Sequence, residues 1–359
     1  MTEPERYISV EDYKKLITDK YIGEVEKRGG TPVLMTANAA AWWDEENNCF
    51  MESRKDYADP TREIAEETGC KFIDENKIVT DAWNSMSKNR VLSGYFICEP
   101  LESKAYPSGT NDTTHMKAKG AKRVAKLIAD AIPENVPELA KYLKGDETFT
   151  DIQGHWAEDV IKTLAENDKV SGVGDGKFNP DGTVTRAEFL KMAMDSLGIV
   201  GHAYRDGECL DATNDDWYCY YLQGALDKDI IPKEMIENCN VTKVTKTLAE
   251  ATDDKEAVTT DVNVYTGKFD GDKPITREEM AAIAVRCKNY KMRRLTDWDN
   301  ERRYPIFSFK DSDEIDEKYI SDVVEAYNLN YIDGMEDGRF APKENLTRAQ
   351  AAVVMNNLK

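Results

Sequence analysis

One signature that occurs three times after residue 145 limits what this chain can fold into. Each copy closes with an aromatic residue and, eight positions later, the Arg of a Thr-Arg pair. The three closing pairs are Phe178 with Arg186, Phe269 with Arg277, and Phe340 with Arg348. Such a constant spacing indicates a repeat architecture, in which each unit buries its apolar face against its neighbours.

Each repeat is predicted to consist of a helix, a turn that contains Gly, and a second helix. The segments HWAEDVIKTLAEND and TRAEFLKMAMDSLG carry apolar residues at helical spacing. A Thr precedes each second helix with Glu or Gln three positions on, which is typical of a capping box. These caps are Thr185, Thr276 and Thr347. Because two helices cannot bury an apolar face alone, we expect the three units to form one mainly α-helical bundle.

The repeats also share an opening aromatic-x-Asp, and together these residues resemble the S-layer homology (SLH) family. The opening aspartates are Asp151, Asp206 and Asp311. Repeat one adds the His-Trp-Ala around Trp156, and repeat three has Tyr319 near the Trp position. The resemblance implies SLH repeats at residues 146–200, 201–292 and 305–359.

Repeat two is longer than the other two. Its opening Asp206 lies 71 residues before Arg277, against 35 and 37 residues in the other repeats. We therefore expect roughly 35 inserted residues, around NCNVTKVTKTLAEATDDKEAVTTDVNV. A solvated loop is the favoured interpretation of this insertion, and a separate interaction surface is the alternative.

The SLH resemblance implies that the module binds secondary cell-wall polysaccharide, in this family often through pyruvylated sugars, and places the protein outside the cell at the wall or S-layer. A sugar carboxylate suits a forked guanidinium at a helix N-terminus. The predicted ligand-binding residues are Arg186, Arg277, Arg348, Asp151, Asp206 and Asp311. The alternative for the arginines is pairing with carboxylates of a neighbouring repeat. Four aromatic residues are expected in the core rather than against a ligand, namely Phe178, Phe269, Phe340 and Trp156.

Charge and composition exclude several classes of function. The formal net charge is −20, of which residues 1–145 contribute −4 and residues 146–359 contribute −16. A surface this acidic argues against nucleic acid, whose phosphates need a basic footprint. No apolar run is long enough for a membrane span. The 7 cysteines show no CxxC pair, which leaves free thiols or one or two disulfides open, and we predict neither a metal nor a cofactor.

Residues 1–145 show a different pattern, in which helices and strands alternate. A helix capped by Ser9, a buried strand TPVLMTA, a helix YADPTREIAEETG and a short strand CKFID follow one another. Such alternation indicates a parallel sheet in a layered α/β domain. Chemistry in these sheets lies at the carboxyl ends of the strands, where Asp112 and His115 are expected.

The pair Asp112 and His115 has two interpretations. One is a helix start, in which Thr113 or Thr114 is the cap and His115 lies in the first turn. The other is catalytic, because the order of blocks up to DTTHMKAKGAKRVAKLIADAI resembles the carboxyl-terminal part of the SGNH (GDSL-type) hydrolases, closest to rhamnogalacturonan acetylesterases. That resemblance implies a partial three-layer, flavodoxin-like domain with His115 as the base and Asp112 as its orienting carboxylate.

The nucleophile block of that family is absent from the sequence. No Gly-Asp-Ser block precedes Ser9, and no Gly-x-Ser-x-Gly elbow occurs. The segment MTEPERYISVEDYKK also lacks the features of a signal peptide. We therefore expect a truncated gene product or a misplaced start, and no esterase activity from these 359 residues alone. The two hypotheses are a wall-anchored esterase that deacetylates a plant polysaccharide, and a non-catalytic anchoring protein with a degenerate esterase domain.

Overall fold

The computed structural model describes residues 8–103, 105–106, 108–143, 149–167, 169–202, 209–213, 215–249, 257–292 and 309–358. The chain divides into two compact units. The first comprises Met1–Cys98 and Thr110–Gly145, and the second comprises Glu99–Gly109 and Asp146–Lys359. Among the described helices, none combines the length and the apolar character needed to cross a bilayer.

The first unit alternates short strands with helices, as an α/β domain does. Its elements are α1 (Val10–Leu16), α2 (Gly23–Lys27), β1 (Val33–Met35), β2 (Trp42–Asp44), β3 (Cys49–Met51), α3 (Lys55–Thr68), β4 (Lys71–Ile73), α4 (Glu75–Asn84), α5 (Lys88–Val91), α6 (Ala118–Asn135) and α7 (Pro137–Ala140). Strands β1 and β4 pair in parallel, with Leu34 opposite Phe72, whereas β2 and β3 pair antiparallel.

A side-chain cap and an aromatic cluster stabilise this unit. Ser9 caps α1 by accepting from the N–H of Asp12, as the sequence predicts. Trp83 of α4 is fully buried and packs against Tyr95 and Phe96, with ring centroids 5.1 and 6.0 Å away. The paired sheets are small and are compatible with the α/β class, and the three-layer arrangement stays a prediction.

The second unit is built mainly from pairs of helices. Its elements are α8 (Glu158–Glu166), α9 (Arg186–Leu197), α10 (Cys219–Asp227), β5 (Glu237–Ala249), β6 (Val258–Lys268), α11 (Arg277–Lys291), α12 (Ile320–Asn328) and α13 (Arg348–Asn357). The predicted capping boxes are present at the starts of α9, α11 and α13, where a Thr hydroxyl and the side chain three residues on bond reciprocally.

A triangle of backbone hydrogen bonds joins the three repeats. The N–H of Val184 donates to the carbonyl of Leu346, that of Leu346 to Ile275, and that of Ile275 to Val184, at 3.0, 3.2 and 3.0 Å. All three side chains are buried. Because each repeat donates to one neighbour and accepts from the other, the repeats form a closed, pseudo-threefold arrangement rather than an open row.

The insertion in repeat two is a β-hairpin and not a solvated loop. Strands β5 and β6 pair antiparallel over nearly their whole length, from Glu237 opposite Lys268 to Ala249 opposite Val258. Tyr265 anchors the base of the hairpin, where its hydroxyl donates to the carbonyl of Leu226 at 3.1 Å. The sequence therefore predicted the position of the insertion but not its secondary structure.

Candidate functional sites

An aspartate near the opening of each repeat holds the turn before the second helix. Asp151 accepts from the N–H groups of Phe178 and Asn179 at 2.8 and 2.7 Å, and these bonds lower its pKa against the opposing effect of burial. Asp311 accepts in the same way from Phe340 and the next residue, at 2.8 Å each. These carboxylates fix the backbone of the turn.

In repeat two the same bonds come from Asp211, which the sequence reasoning missed. Asp211 accepts from the N–H groups of Phe269 and Asp270 at 2.7 and 2.8 Å. The predicted Asp206 lies outside the described residues. The available signal was the distance to the following Trp, because Asp211 precedes Trp217 by six residues, close to the five that separate Asp151 from Trp156.

The arginines of the Thr-Arg pairs connect the repeats in a cycle. Arg348 donates to the carbonyls of Phe178 and Ser171 at 2.7 and 3.0 Å. Arg277 donates to Phe340 at 2.7 Å and to Asp333 at 2.8 Å. Each guanidinium therefore reaches from its own repeat to the turn of the next one.

Arg186 completes the cycle and adds an ion pair. It donates to the carbonyl of Phe269 at 2.7 Å and forks onto the Glu279 carboxylate of repeat two. The alternative interpretation of the arginines, pairing with a neighbouring carboxylate, thus describes Arg186, and Arg348 Nη1 also lies 3.9 Å from Glu188 of repeat one.

These three arginines are buried, unlike most cationic side chains at a protein surface. Each is only 7 % exposed, and each guanidinium lies over the Phe ring of the next repeat. Burial lowers the pKa of Arg277 and of Arg348. Burial also opposes the charge of Arg186, but the bond with Glu279 outweighs it and raises that pKa. Direct ligand contact by these arginines stays a prediction.

The helix starts α8, α10 and α12 place different residues at one equivalent position. Trp156 and Trp217, two residues before α8 and α10, are 66 % and 51 % exposed. Lys318 occupies this position before α12, whereas Tyr319 is buried at the position of Ala157. The prediction of Trp156 as a core residue is therefore wrong, although Phe178, Phe269 and Phe340 are fully buried as predicted.

We call the contact between a helix start and the next turn a junction. In the 3–1 junction, the N–H groups of Arg348 and Ala349 donate to Gly182 and Pro180, both at 2.9 Å. In the 1–2 junction, Arg186 and Ala187 donate to Lys273 and Gly271. In the 2–3 junction, Arg277 and Glu278 donate to Glu344 and Pro342.

The exposed tryptophans border two of these junctions. Trp156 stacks at 5.3 Å beside His155, whose Nε2 lies 3.3 Å from Asp181 in the turn of the 3–1 junction. Trp217 lies against Tyr218, and a side chain at Gly271 would collide with that Tyr218 ring. The 2–3 junction has Lys318 in this position.

In the first unit, the structure places Asp112 and His115 in a hydrogen-bonded pair. His115 Nδ1 lies 2.7 Å from Asp112 Oδ2, and the His115 side chain is 84 % exposed. The other Asp112 oxygen accepts from the N–H groups of Thr114 and His115 at 2.7 and 2.9 Å. The N–H and ring of His115, together with the Thr114 N–H, lower the pKa of Asp112 to about 2.

This pair does not belong to a helix start. Helix α6 begins at Ala118 with Lys117 as its cap residue, so His115 lies before the first turn. The Thr113 carbonyl accepts from the N–H of Ala41 at 2.8 Å and ties the loop to the segment after β1. Within the part of the chain that the structure describes, His115 Nε2 makes no hydrogen bond, so it is available to take a proton.

The sequence profile of the S-layer homology domain matches residues 148–190 and 308–352. The chain carries S-layer homology domains. The profile covers repeats one and three, while repeat two shares their caps, turn bonds and arginine contacts. Relatives with this similarity include an amylopullulanase of Thermoanaerobacterium thermosulfurigenes, 34 % identical over 213 residues, and an exoglucanase of Acetivibrio thermocellus, 35 % identical over 219 residues.

These alignments cover 59 % and 60 % of this chain but only 10 % and 16 % of the two relatives. A rhamnogalacturonan acetylesterase of Bacillus subtilis is 31 % identical over 111 residues, which are 30 % of this chain and 46 % of that enzyme. The chain thus combines S-layer homology domains with a part that is similar to acetylesterases, and it spans about half of the esterase or less.

Proposed function

We propose that the second unit attaches the protein to the cell surface by binding an anionic wall polysaccharide at its junctions. The S-layer homology match carries the proposal of surface attachment. The exposure of Trp156 and Trp217 at two equivalent junctions supports the location of the binding surface. A solvent-exposed indole ring offers an apolar face on which a sugar ring can stack.

The arginines and opening aspartates enter this proposal as positioning residues. Their polar atoms bond to the turns and to the neighbouring repeat, so they fix the backbone of the junctions without contacting the ligand themselves. A negatively charged sugar would have to approach an acidic unit, with −16 over residues 146–359, so local groups must outweigh the overall field. Because salt screens the repulsion between the acidic unit and an anionic glycan, added salt is expected to strengthen binding slightly. A basic module would instead lose affinity with added salt, and by a much larger factor.

The test is sedimentation of the full chain with purified cell walls, before and after chemical removal of the polysaccharide. We expect binding to intact walls only. Trp156→Ala and Trp217→Ala are each expected to lower affinity about tenfold, equivalent to ~1.4 kcal/mol of stacking. Tyr142→Ala is the matched control, since Tyr142 is an exposed aromatic residue of the first unit. Equal binding to stripped walls would refute the proposal.

The second candidate function is carbohydrate ester hydrolysis by the first unit as part of an SGNH-type, three-layer flavodoxin-like domain. The Asp112–His115 geometry favours it, because a carboxylate on Nδ1 leaves Nε2 to act as a general base. Asp112 would orient the ring, and the substrate class would be an acetylated plant polysaccharide. The nucleophile would come from a segment that the described residues do not supply.

Acetate release from acetylated rhamnogalacturonan tests this second function. We expect none from these residues alone, and we expect activity when the chain is co-expressed with the part of the Bacillus subtilis relative that this chain does not match. His115→Ala should lower that activity by roughly 10³-fold or more, while His155→Ala in the second unit should not. Hydrolysis that survives His115→Ala would exclude the assigned base.

A further inference from the structure

The 2–3 junction differs from its two equivalents at one buried position. The second residue of α9 and of α13 is Ala, at Ala187 and Ala349, and both are fully buried. The equivalent residue of α11 is Glu278, which is only 3 % exposed. A carboxylate this deeply buried needs partners to offset its lost hydration.

Repeat three provides those partners. Lys343 Nζ lies 2.6 Å from one Glu278 oxygen, and the N–H of Asp316 donates to the other at 3.0 Å. Lys343 also lies 2.6 Å from Asp316 Oδ1. Partial burial disfavours the Lys343 charge, but its hydrogen bonds with Asp316 and Glu278 raise its pKa overall. An ammonium and a backbone N–H therefore converge on a single carboxylate.

An open cavity of about 450 Å³ adjoins this cluster and is lined by Asp316, Glu317 and Lys318. The cavity occupies the place where Trp156 and Trp217 border the other two junctions. The other two junctions also bring a cation and a backbone N–H to one carboxylate, at Glu188 and Glu279, but there the carboxylate belongs to the capping box of its own helix.

We propose that the 2–3 junction is a carboxylate-binding site that the chain fills with its own Glu278. The ligand class that suits this arrangement is a small organic acid, and Glu278 takes the place of its carboxylate. One consequence of this inference rests on the proposed glycan binding. If the 2–3 junction is filled by Glu278, the 3–1 and 1–2 junctions are the two that accept polysaccharide.

Glu278→Ala in the full chain tests the inference, since it restores the residue that both other junctions carry. Pyruvate is the probe, titrated by calorimetry. We expect Glu278→Ala to bind one more pyruvate per chain than the natural protein, with a millimolar Kd. The added site should disappear in Glu278→Ala combined with Lys343→Met, because the ammonium that holds the carboxylate is then lost.

Glu317→Ala is the matched control, because it removes an exposed acid beside the same cavity without releasing Lys343. It should add no site. If Glu278→Ala does not fold, Glu278→Ser is titrated instead, since a hydroxyl can still accept from the Asp316 N–H. An unchanged number of sites in Glu278→Ala, or an added site that persists when Glu278→Ala is combined with Lys343→Met, would overturn the inference. The added pyruvate site decides this even if no wall polysaccharide binds, so the two proposals fail separately.

Discussion

The two units place their charged groups differently. The second unit buries three arginines at 7 % exposure, and each of them donates a hydrogen bond to a carbonyl of the neighbouring repeat. The first unit keeps Asp112 and His115 at its surface, bonded to each other and to the local backbone. The difference teaches that a charged residue in a repeated motif is not thereby a ligand contact. Exposure and unused hydrogen-bonding atoms identify the group that is free for chemistry.

Arg348→Met should give the largest effect, because it leaves the buried carbonyl of Phe178 and the carbonyl of Ser171 without their charged donor. We expect the free energy of unfolding of the second unit to fall by about 3–5 kcal/mol. Urea titration of the full chain measures this. Arg339→Met is the control, since Arg339 is 45 % exposed and bonds only with surface carboxylates, so it should cost under ~1 kcal/mol. Equal losses would show that the buried arginine does not hold the repeats together.

Asp322→Asn should give the second largest effect, and in the opposite direction. Asp322 is buried between α11 and α12, and burial raises its pKa to about 6 despite Arg286 at 3.5 Å. A raised pKa contributes stability that is present below the unfolded value near 3.8 and is lost as the pH rises through about 6. We therefore expect Asp322→Asn to stabilise the second unit by about 2–3 kcal/mol at pH 7.5 and by almost nothing at pH 3.5.

Nearby charges define the control for Asp322. Glu325 and Glu234 also face this carboxylate and raise its pKa. Asp313→Asn, at an exposed acid of the same repeat, should change stability equally little at both pH values. A pH-independent effect of Asp322→Asn would contradict the assigned titration.

The capping threonines should give an effect of about 1 kcal/mol each, and the three values sharpen the comparison among repeats. Thr185→Ala, Thr276→Ala and Thr347→Ala remove equivalent bonds to the third helical residue, at 3.2, 3.4 and 3.2 Å. Thermal and urea unfolding should show similar losses for all three. A much larger loss at one cap would show that the pseudo-threefold arrangement is unequal in energy.

Asp112→Asn should have the smallest effect, below ~1 kcal/mol, because the pair is exposed and solvent screens its charge. The pKa of Asp112 is depressed to about 2, so its contribution is present above the unfolded value near 3.8 and disappears as the pH falls through 2. Unfolding of the first unit at pH 7 and pH 2 measures it. A loss as large as that of Arg348→Met would mean that the pair is a structural element and not a surface group.

The features that the sequence predicted are those that depend on near neighbours along the chain. The capping boxes need only residues three positions apart, and Ser9 caps α1 for the same reason. The pair of Asp112 with His115 is also local. Both partners of each bond lie within three residues of one another, so a short stretch of sequence is enough to predict it.

The features that it did not predict depend on distant partners. The exposure of Trp156 follows from which side of a helix start faces the next repeat. Asp211 was missed because the insertion separates it from Phe269 by 58 residues. The hairpin was missed although β6 carries a strand signal, since Val262 and Val264 alternate with Asp261 and Asn263.

The contacts of Arg348 also determine when this unit can reach its final form. The bonds to Phe178 and Ser171 join residues 170 and 177 positions apart in sequence. During synthesis, repeats one and two therefore emerge with the carbonyls of the 3–1 junction unpaired, until α13 has been made. Contacts of such high sequence separation slow folding. The first repeat to be synthesised is thus among the last to be completed, and until then it lacks its contacts with repeat three.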